Sequence, residues 1–231
     1  GAGSRFKEAG YIFPKPLIEI DNKPMIQWVI ESLNLEGNFI FIVQKEHQEK
    51  YNINSVLKIL KPNCKIIELD HITEGAACTT LLAKKFINTS NPLIIANSDQ
   101  YIKWDSIKSM YNYNQKKIDG SILTFEAIHP KWSYAKTDKN NFVTEVAEKK
   151  VISKNATVGV YYWKKGSDYV NCAETMIKKN IRVNNEFYVC PVYNEAIGEG
   201  KKIVIDKVSE MHGLGTPDDL KNFITKKNLT N

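Results

Sequence analysis

The sequence predicts an α/β fold, a mostly parallel sheet flanked by helices with a small antiparallel insertion. Three observations predict it. Helix-like and strand-like segments alternate over residues 24–114. The apolar runs at 39–43 and 92–96 are continuous rather than alternating, which suits strands covered on both faces of a parallel sheet. From Gly120 onward, strand-like segments follow one another with few helices between them.

The elements follow in order. Residues 24–33 read as a helix with proline at its start. Residues 38–43 read as a buried strand, 54–60 as a helix and 65–69 as a strand. A helix over 75–86 opens on a glycine, the strand over 92–96 is again fully apolar, and 105–114 is helical. In the insertion, residues 121–127, 134–136, 141–147 and 156–163 read as strands. Helices near 167–179 and 188–199, a strand over 201–208 and a helix over 217–225 complete the chain. No repeat, low-complexity stretch or linker interrupts it, so residues 1–231 are expected to form a single domain.

With 231 residues and 42% hydrophobic residues, the chain is long enough for a full core and too apolar to be disordered. No apolar run approaches the roughly 20 residues that a membrane span needs, so a soluble protein without membrane association is expected. Cys64, Cys78, Cys172 and Cys190 form no C-x-x-C pair, which argues against a zinc ribbon or a disulfide framework and for a reduced, cytoplasmic setting. The net charge is +6, carried almost wholly by lysines in scattered doublets; Arg5 and Arg182 are the only arginines. A nucleic-acid binder concentrates basic residues on one face, so no nucleic-acid partner is expected.

Gly1-Ala2-Gly3-Ser4-Arg5 opens the chain. Glycines let backbone N–H groups approach a phosphate, and the arginine adds a charged fork. Alone the motif equally fits a plain turn. It is neither a Walker A loop nor a dinucleotide fingerprint, because no G-K-[ST] follows and position 6 is Phe6. Such a turn normally leaves a strand, so an apolar strand is expected before Gly1. Pro14-Lys15-Pro16 comes next: two prolines fix the backbone and present the ammonium as a point charge. A phosphate loop with a fixed lysine suits transfer at phosphorus. Asp99, with Asn97 and Ser98 before it, follows an apolar strand, where open α/β sheets bind ligands; it is a hard-oxygen ligand for Mg²⁺ or an Asx turn. Glu148-Lys149 lies at a strand end and reads as an anion site or a surface charge pair. Trp132 and Tyr134 could line a polyol pocket or pack in the core. Arg182 with Asn184, Asn185 and Glu186 gathers polar groups in a loop. Cys78 and Cys190 read as small buried residues.

G-x-G-[ST]-R-[LF], P-K-P-[LM] and Lys23-Pro24-Met25-Ile26 together resemble the opening of the sugar-phosphate nucleotidyltransferases, and the resemblance recurs along the chain. Glu74-Gly75-Ala76-Ala77 is similar to the family's base-contacting helix start. Asn97-Ser98-Asp99 is similar to its metal-binding aspartate segment, and Val146-Ala147-Glu148-Lys149-Lys150 to its E-K-P segment at the sugar phosphate. Val158-Gly159-Val160-Tyr161, Asn184-Asn185-Glu186-Phe187-Tyr188 and Gly215-Thr216-Pro217 match later blocks. The branch it most resembles is that of small enzymes of bacterial capsule biosynthesis, some of them cytidylyltransferases.

The resemblance implies a Rossmann-like fold and a Mg²⁺-dependent reaction that joins a nucleoside triphosphate to a sugar or polyol phosphate and releases pyrophosphate, with CTP favoured on branch alone. It implies Arg5 and Lys15 as catalytic residues, with Gly1, Ala2, Gly3, Ser4, Glu74, Gly75, Ala76 and Ser98 on the nucleotide. Asp99 would hold the metal. Trp132, Tyr134, Glu148, Lys149, Gly159, Arg182, Glu186 and His212 would face the acceptor. A homodimer, or a place in a larger capsule enzyme, also fits. One family position departs: the second acidic metal ligand falls on Gly213, so a one-aspartate site is expected, with metal carried in on the triphosphate. Two other readings stay open. A glycosyltransferase of the same fold normally carries D-x-D where this chain has Asn97-Ser98-Asp99. A regulatory subunit would bind nucleotide without turnover.

Overall fold

The computed structural model describes residues 4–228. Gly1, Ala2 and Gly3, assigned above to the phosphate loop, lie outside the described residues. The chain divides into two units. One gathers the chain up to Ile72 with Asn97–Ser106 and the segment from Ser209; the other comprises Thr73–Ala96 and Ile107–Val208.

In the first unit, a short helix Ser4–Glu8 places Phe6 in the core and is followed by a turn at Gly10, whose φ of 85° favours glycine. A 3₁₀ turn, Lys15–Leu17, follows Pro14. Strands Glu19–Ile20 and Lys23–Pro24 pair around Asp21 and Asn22, both at positive φ, as a two-residue hairpin turn requires. Helix Met25–Leu33 starts just after Pro24 and buries Met25, Ile26, Val29, Ile30 and Leu33 on one face. Strand Ile40–Gln44 runs parallel to Lys65–Leu69. Between them lie two helices, Lys45–Tyr51 and Ile53–Leu60, broken at Asn52 in the left-handed conformation; only the second was expected. Strands Gln100–Lys103 and Glu210–Gly213 pair antiparallel, and neither is legible as a strand in the sequence. Helix Pro217–Asn228 is capped by Thr216, whose Oγ1 accepts from the Asp219 N–H. Its Leu220 and Phe223 join Phe6, Ile18, Ile20, Met25 and Leu214 in one core.

The second unit is built on a six-stranded mixed sheet. Ile203–Lys207 runs parallel to Gly120–Glu126. Gly120–Glu126 in turn pairs antiparallel with the long strand Asn155–Trp163. That strand also pairs with Leu93–Ala96 and Ser133–Thr137, and Val143–Glu148 closes the far edge. Leu93–Ala96 is thus antiparallel to its partner and only half-buried, where a fully buried strand was expected. The helix expected over 75–86 is two short pieces, Ala76–Leu81 and Lys84–Ile87. That expected over 188–199 is only Val192–Gly198, because Pro191 sits at its cap. Trp163 stacks on Tyr193 at 4.3 Å, and the Tyr193 hydroxyl donates to backbone carbonyl oxygens of the sheet. Among the described residues, no helix is long and apolar enough to cross a membrane.

The edge strand Val143–Glu148 is closed by a side chain. Asn194 accepts from the Val146 N–H at 2.9 Å and donates to the Val146 carbonyl at 2.9 Å, imitating a further strand. Val146 is buried, so losing the amide leaves two backbone groups unpaired. Asn194→Ala should cost about 1–3 kcal/mol and lower the urea midpoint; an unchanged midpoint would show that the amide does not hold this edge.

Candidate active site

The first unit brings Lys15 and Asp99 together. Pro14 is held extended and Pro16 follows within the 3₁₀ turn, where the Leu17 N–H donates to the Pro14 carbonyl at 2.8 Å. Ile18 is buried beneath, so the turn is anchored and only the lysine side chain is left to move. The Lys15 Nζ lies 2.7 Å from Asp99 Oδ2, with the two side chains 19% and 29% exposed. Asp99 is placed by the strand pair: Gly213 stands opposite Gln100, and the Asp99 carbonyl accepts from the Leu214 N–H at 2.7 Å. Gln100 is buried and donates to the Asn97 carbonyl at 3.0 Å, which fixes the turn that carries Ser98, itself exposed. A Cβ on Gly215 would stand 3.1 Å from Asp99 Oδ2, so the chain there borders the carboxylate directly.

The donor set fits a hard divalent cation in one way. Asp99 offers one partly exposed carboxylate, and Gly213, the neighbouring strand position, offers no side chain. Among the described residues, no group of three or more His, Cys, Asp and Glu side chains could hold a metal. Mg²⁺ takes one or two carboxylates and completes its shell with water and substrate phosphate, so Asp99 suits it as one protein ligand among phosphates. Arg5 is exposed on the short first helix, which Ser4 opens. His212 is largely buried; its ring packs near Tyr101 and Phe223, and Nε2 faces Glu210 at 3.4 Å.

The second unit holds two further groups. Glu148 pairs in register with Ser133, and the Ser133 hydroxyl donates to its carboxylate. Burial pushes the Glu148 carboxyl above its ordinary range, and Glu186 raises it further, while Ser133 and Lys149 oppose the shift. Lys149 adopts a positive φ of 54° at the strand end. Its ammonium donates to the Tyr188 hydroxyl at 2.5 Å and lies over the same ring; the hydrogen bond to Tyr188 raises its pKa. Trp132 is half-buried, edge-on to Phe125. Tyr134 is fully buried and its hydroxyl proton is committed to the His129 carbonyl, so the side chain sits in the core rather than in an open pocket. Gly159 is buried with φ 77° where the long strand shifts register, a conformation that suits glycine.

Arg182 is engaged. Its guanidinium donates to Glu74 at 2.6 Å, to Asn180 at 2.6 Å and to the Asn185 carbonyl at 3.1 Å, and it stacks over Phe187. Asn184 and Asn185, both at positive φ, form the tip of a hairpin closed between Val183 and Glu186, and Glu186 is exposed. Gly75 meets the same loop. Its φ is 131°, and a Cβ there would fall 2.5 Å from the Phe187 N and O. The Phe187 N–H donates to Glu74, and its carbonyl accepts from Ala77. Gly75 is therefore demanded by close backbone packing at the start of the helix, and Ala76 beside it is exposed. Cys190 is buried as expected, whereas Cys78 is half-exposed.

Residues 1–220 match the model of the family described as nucleotidyl transferase. The chain belongs to that family. It is a nucleotidyltransferase, which bears out the resemblance drawn from its motifs. Solved structures share the fold. A nucleoside-diphosphate-sugar pyrophosphorylase from Vibrio cholerae is 24% identical, with a TM-score of 0.84 and 97% of each chain covered. A Bacillus anthracis protein assigned as a glucose-1-phosphate thymidylyltransferase, in complex with a sucrose, is 18% identical with a TM-score of 0.78, over 98% of this chain and 91% of that one. A UDP-glucose pyrophosphorylase complexed with UDP-glucose is 16% identical with a TM-score of 0.76, over 100% of this chain and 96% of that one. The Rossmann-like α/β class expected from the sequence stands with them.

Sequence reasoning missed Ser133, Tyr188 and Gly215 as neighbours of Glu148, Lys149 and Asp99. Ser133 and Tyr188 lie in segments whose polar and aromatic character stands out, but only strand register and loop packing reveal whom they serve. The raised pKa of Glu148 gives a stability signature with a definite sign. A carboxyl whose folded pKa exceeds its unfolded value adds stability that is full below the ordinary value of 4.5 and lost as pH rises through the folded pKa. Glu148→Gln removes that loss. The variant should gain stability relative to the parent between pH 4 and pH 7 in urea unfolding; a difference that stays constant or moves the other way would contradict buried ionisation at Glu148.

Proposed function

We propose that this nucleotidyltransferase is Mg²⁺-dependent and joins a nucleoside triphosphate, CTP being favoured, to a sugar or polyol phosphate, releasing pyrophosphate. We read residues 1–231 as a single cytoplasmic domain that acts in capsule or surface polysaccharide assembly, alone, as a homodimer or as part of a larger enzyme. The observation that carries the reading is Lys15, fixed between two prolines and paired with Asp99. The family match supports the transfer, and a similar structure, a UDP-glucose pyrophosphorylase complexed with UDP-glucose, supports a phosphate-bearing sugar as acceptor class.

In the mechanism, a phosphate oxygen of the acceptor attacks the α-phosphorus in line with the departing pyrophosphate. The attacking oxygen is already anionic, so no general base is needed. Lys15 sets its positive charge against the oxygens of the α-phosphate and the leaving group, where negative charge builds. Arg5 and the glycine segment before it hold the triphosphate. Lys149, presented at a strand end by its positive φ, takes the acceptor phosphate in exchange for the Tyr188 hydroxyl. Glu148, kept in place by Ser133, accepts a hydrogen bond from an acceptor hydroxyl. Arg182 keeps the Glu74–Gly75 segment in position for the base. Asp99 would hold Mg²⁺, which when bound would supply charge neutralisation for the phosphates.

A pyrophosphate-release screen of the four triphosphates against sugar and polyol phosphates tests the reading. Release should require both a triphosphate, CTP above the others, and an acceptor phosphate. Lys15→Ala should lower kcat by about 10²–10³-fold with a much smaller change in KM. Near-parental turnover in that variant would remove Lys15 from the mechanism, and absence of release with every pair would refute the reaction.

A further inference from the structure

We infer that Lys15 and the divalent metal compete for Asp99, so that triphosphate, by drawing Lys15 away, makes the metal site. The inference rests on the reading of Asp99 as the metal carboxylate and adds how that carboxylate is kept occupied beforehand.

The geometry carries it. Lys15 Nζ sits 2.7 Å from Asp99 Oδ2, at full contact, and both side chains are mostly shielded from water. On another side, the backbone at Gly215 comes so close that a Cβ would stand 3.1 Å from the same oxygen. Among the described residues, Asp99 is the only carboxylate that Lys15 pairs with, and Lys15 the only cation that Asp99 pairs with. A divalent ion approaching Asp99 therefore meets an ammonium already there. Two cations at contact distance from one carboxylate repel each other strongly in a partly desolvated place. Gly213 supplies no second carboxylate to outweigh that repulsion.

A triphosphate changes the balance. It offers Lys15 several anionic oxygens in place of one. The prolines hold the backbone, so the move is made by the four-carbon stem of Lys15. Once Lys15 turns to phosphate, Asp99 is left with an uncompensated, partly buried charge, and a metal with phosphate oxygens already in its shell satisfies it. Linkage makes the effect reciprocal: metal on Asp99 releases Lys15 to the phosphates as much as phosphates release Asp99 to metal. The ion pair thus keeps metal off the empty protein and couples metal to nucleotide.

The test is Mg²⁺ calorimetry on the full chain without nucleotide, with thermal melts to confirm folding. Lys15→Met and Lys15→Gln should bind Mg²⁺ a few-fold more tightly than the parent, the order expected for relieving one partly exposed ion pair. Adding Asp99→Asn should abolish the gain. Lys23→Met, which removes an equal charge from an exposed pair with Glu31 in the same unit, should bind like the parent. The second measurement is water-proton relaxation by Mn²⁺ with CTP present, in the parent and in Asp99→Asn. If neither Lys15 variant gains affinity while Asp99→Asn still abolishes the Mn²⁺–CTP enhancement, the competition is wrong and the role of Asp99 stands. If Asp99→Asn changes neither measurement, Asp99 is not the metal carboxylate, and the inference falls with that reading. If Lys23→Met gains as much as Lys15→Met, the effect is overall charge and the competition is again refuted.

Discussion

Asp99 meets Lys15 because two four-residue strands, Gln100–Lys103 and Glu210–Gly213, pair across more than a hundred positions of sequence. The ladder continues through the Leu214 N–H onto the Asp99 carbonyl. That bond sets the height of the carboxylate, and Gly215, with no side chain of its own, lets the backbone border it beside Lys15. Behind the ladder, Leu214, Leu220 and Phe223 pack with Phe6, Ile18, Ile20 and Met25. The same apolar cluster therefore seats the helix that carries Arg5, the turn that carries Lys15 and the strand end that carries Asp99. Slipping the ladder by one residue would turn each side chain to the opposite face and separate the pair.

The second unit solves a different problem. Glu148 is a carboxylate placed where burial disfavours its charge, and the Ser133 hydroxyl, at the matching position of the neighbouring strand, partly compensates. The edge of that strand would expose backbone groups, and the Asn194 amide satisfies them. Near the hairpin at Asn184 and Asn185, Arg182 and Phe187 fasten the Glu74–Gly75 segment. Polar groups are thus held by packing and hydrogen bonds that leave them little freedom.

Some of this was legible in the sequence because its causes are local. Two prolines fix Lys15 whatever surrounds it, and an aspartate just past an apolar strand lies near the end of that strand in any open sheet. The strand 65–69 and the helix that Pro24 opens follow from their local sequence. The rest depends on distant partners. The strands at 100–103 and 210–213 are too short to show a pattern. Gly75 reads as a helix start, yet its φ is imposed by the Phe187 backbone. Arg182 reads as a free loop arginine until its partner Glu74, 108 residues away, is seen. Tyr134 has the composition of a polyol contact, but the strand register turns it into the core.

The central claim is that this nucleotidyltransferase directs attack at the α-phosphorus with Lys15 and Asp99 at the reacting phosphates. Isotope placement tests it most directly. With triphosphate labelled at the α-phosphate, Mg²⁺ and an acceptor phosphate, the label should pass wholly into the nucleoside-diphosphate product and be absent from the released pyrophosphate. Label from the γ-phosphate should appear only in pyrophosphate. Transfer of γ-label to the acceptor, or its release as single phosphate, would contradict the account.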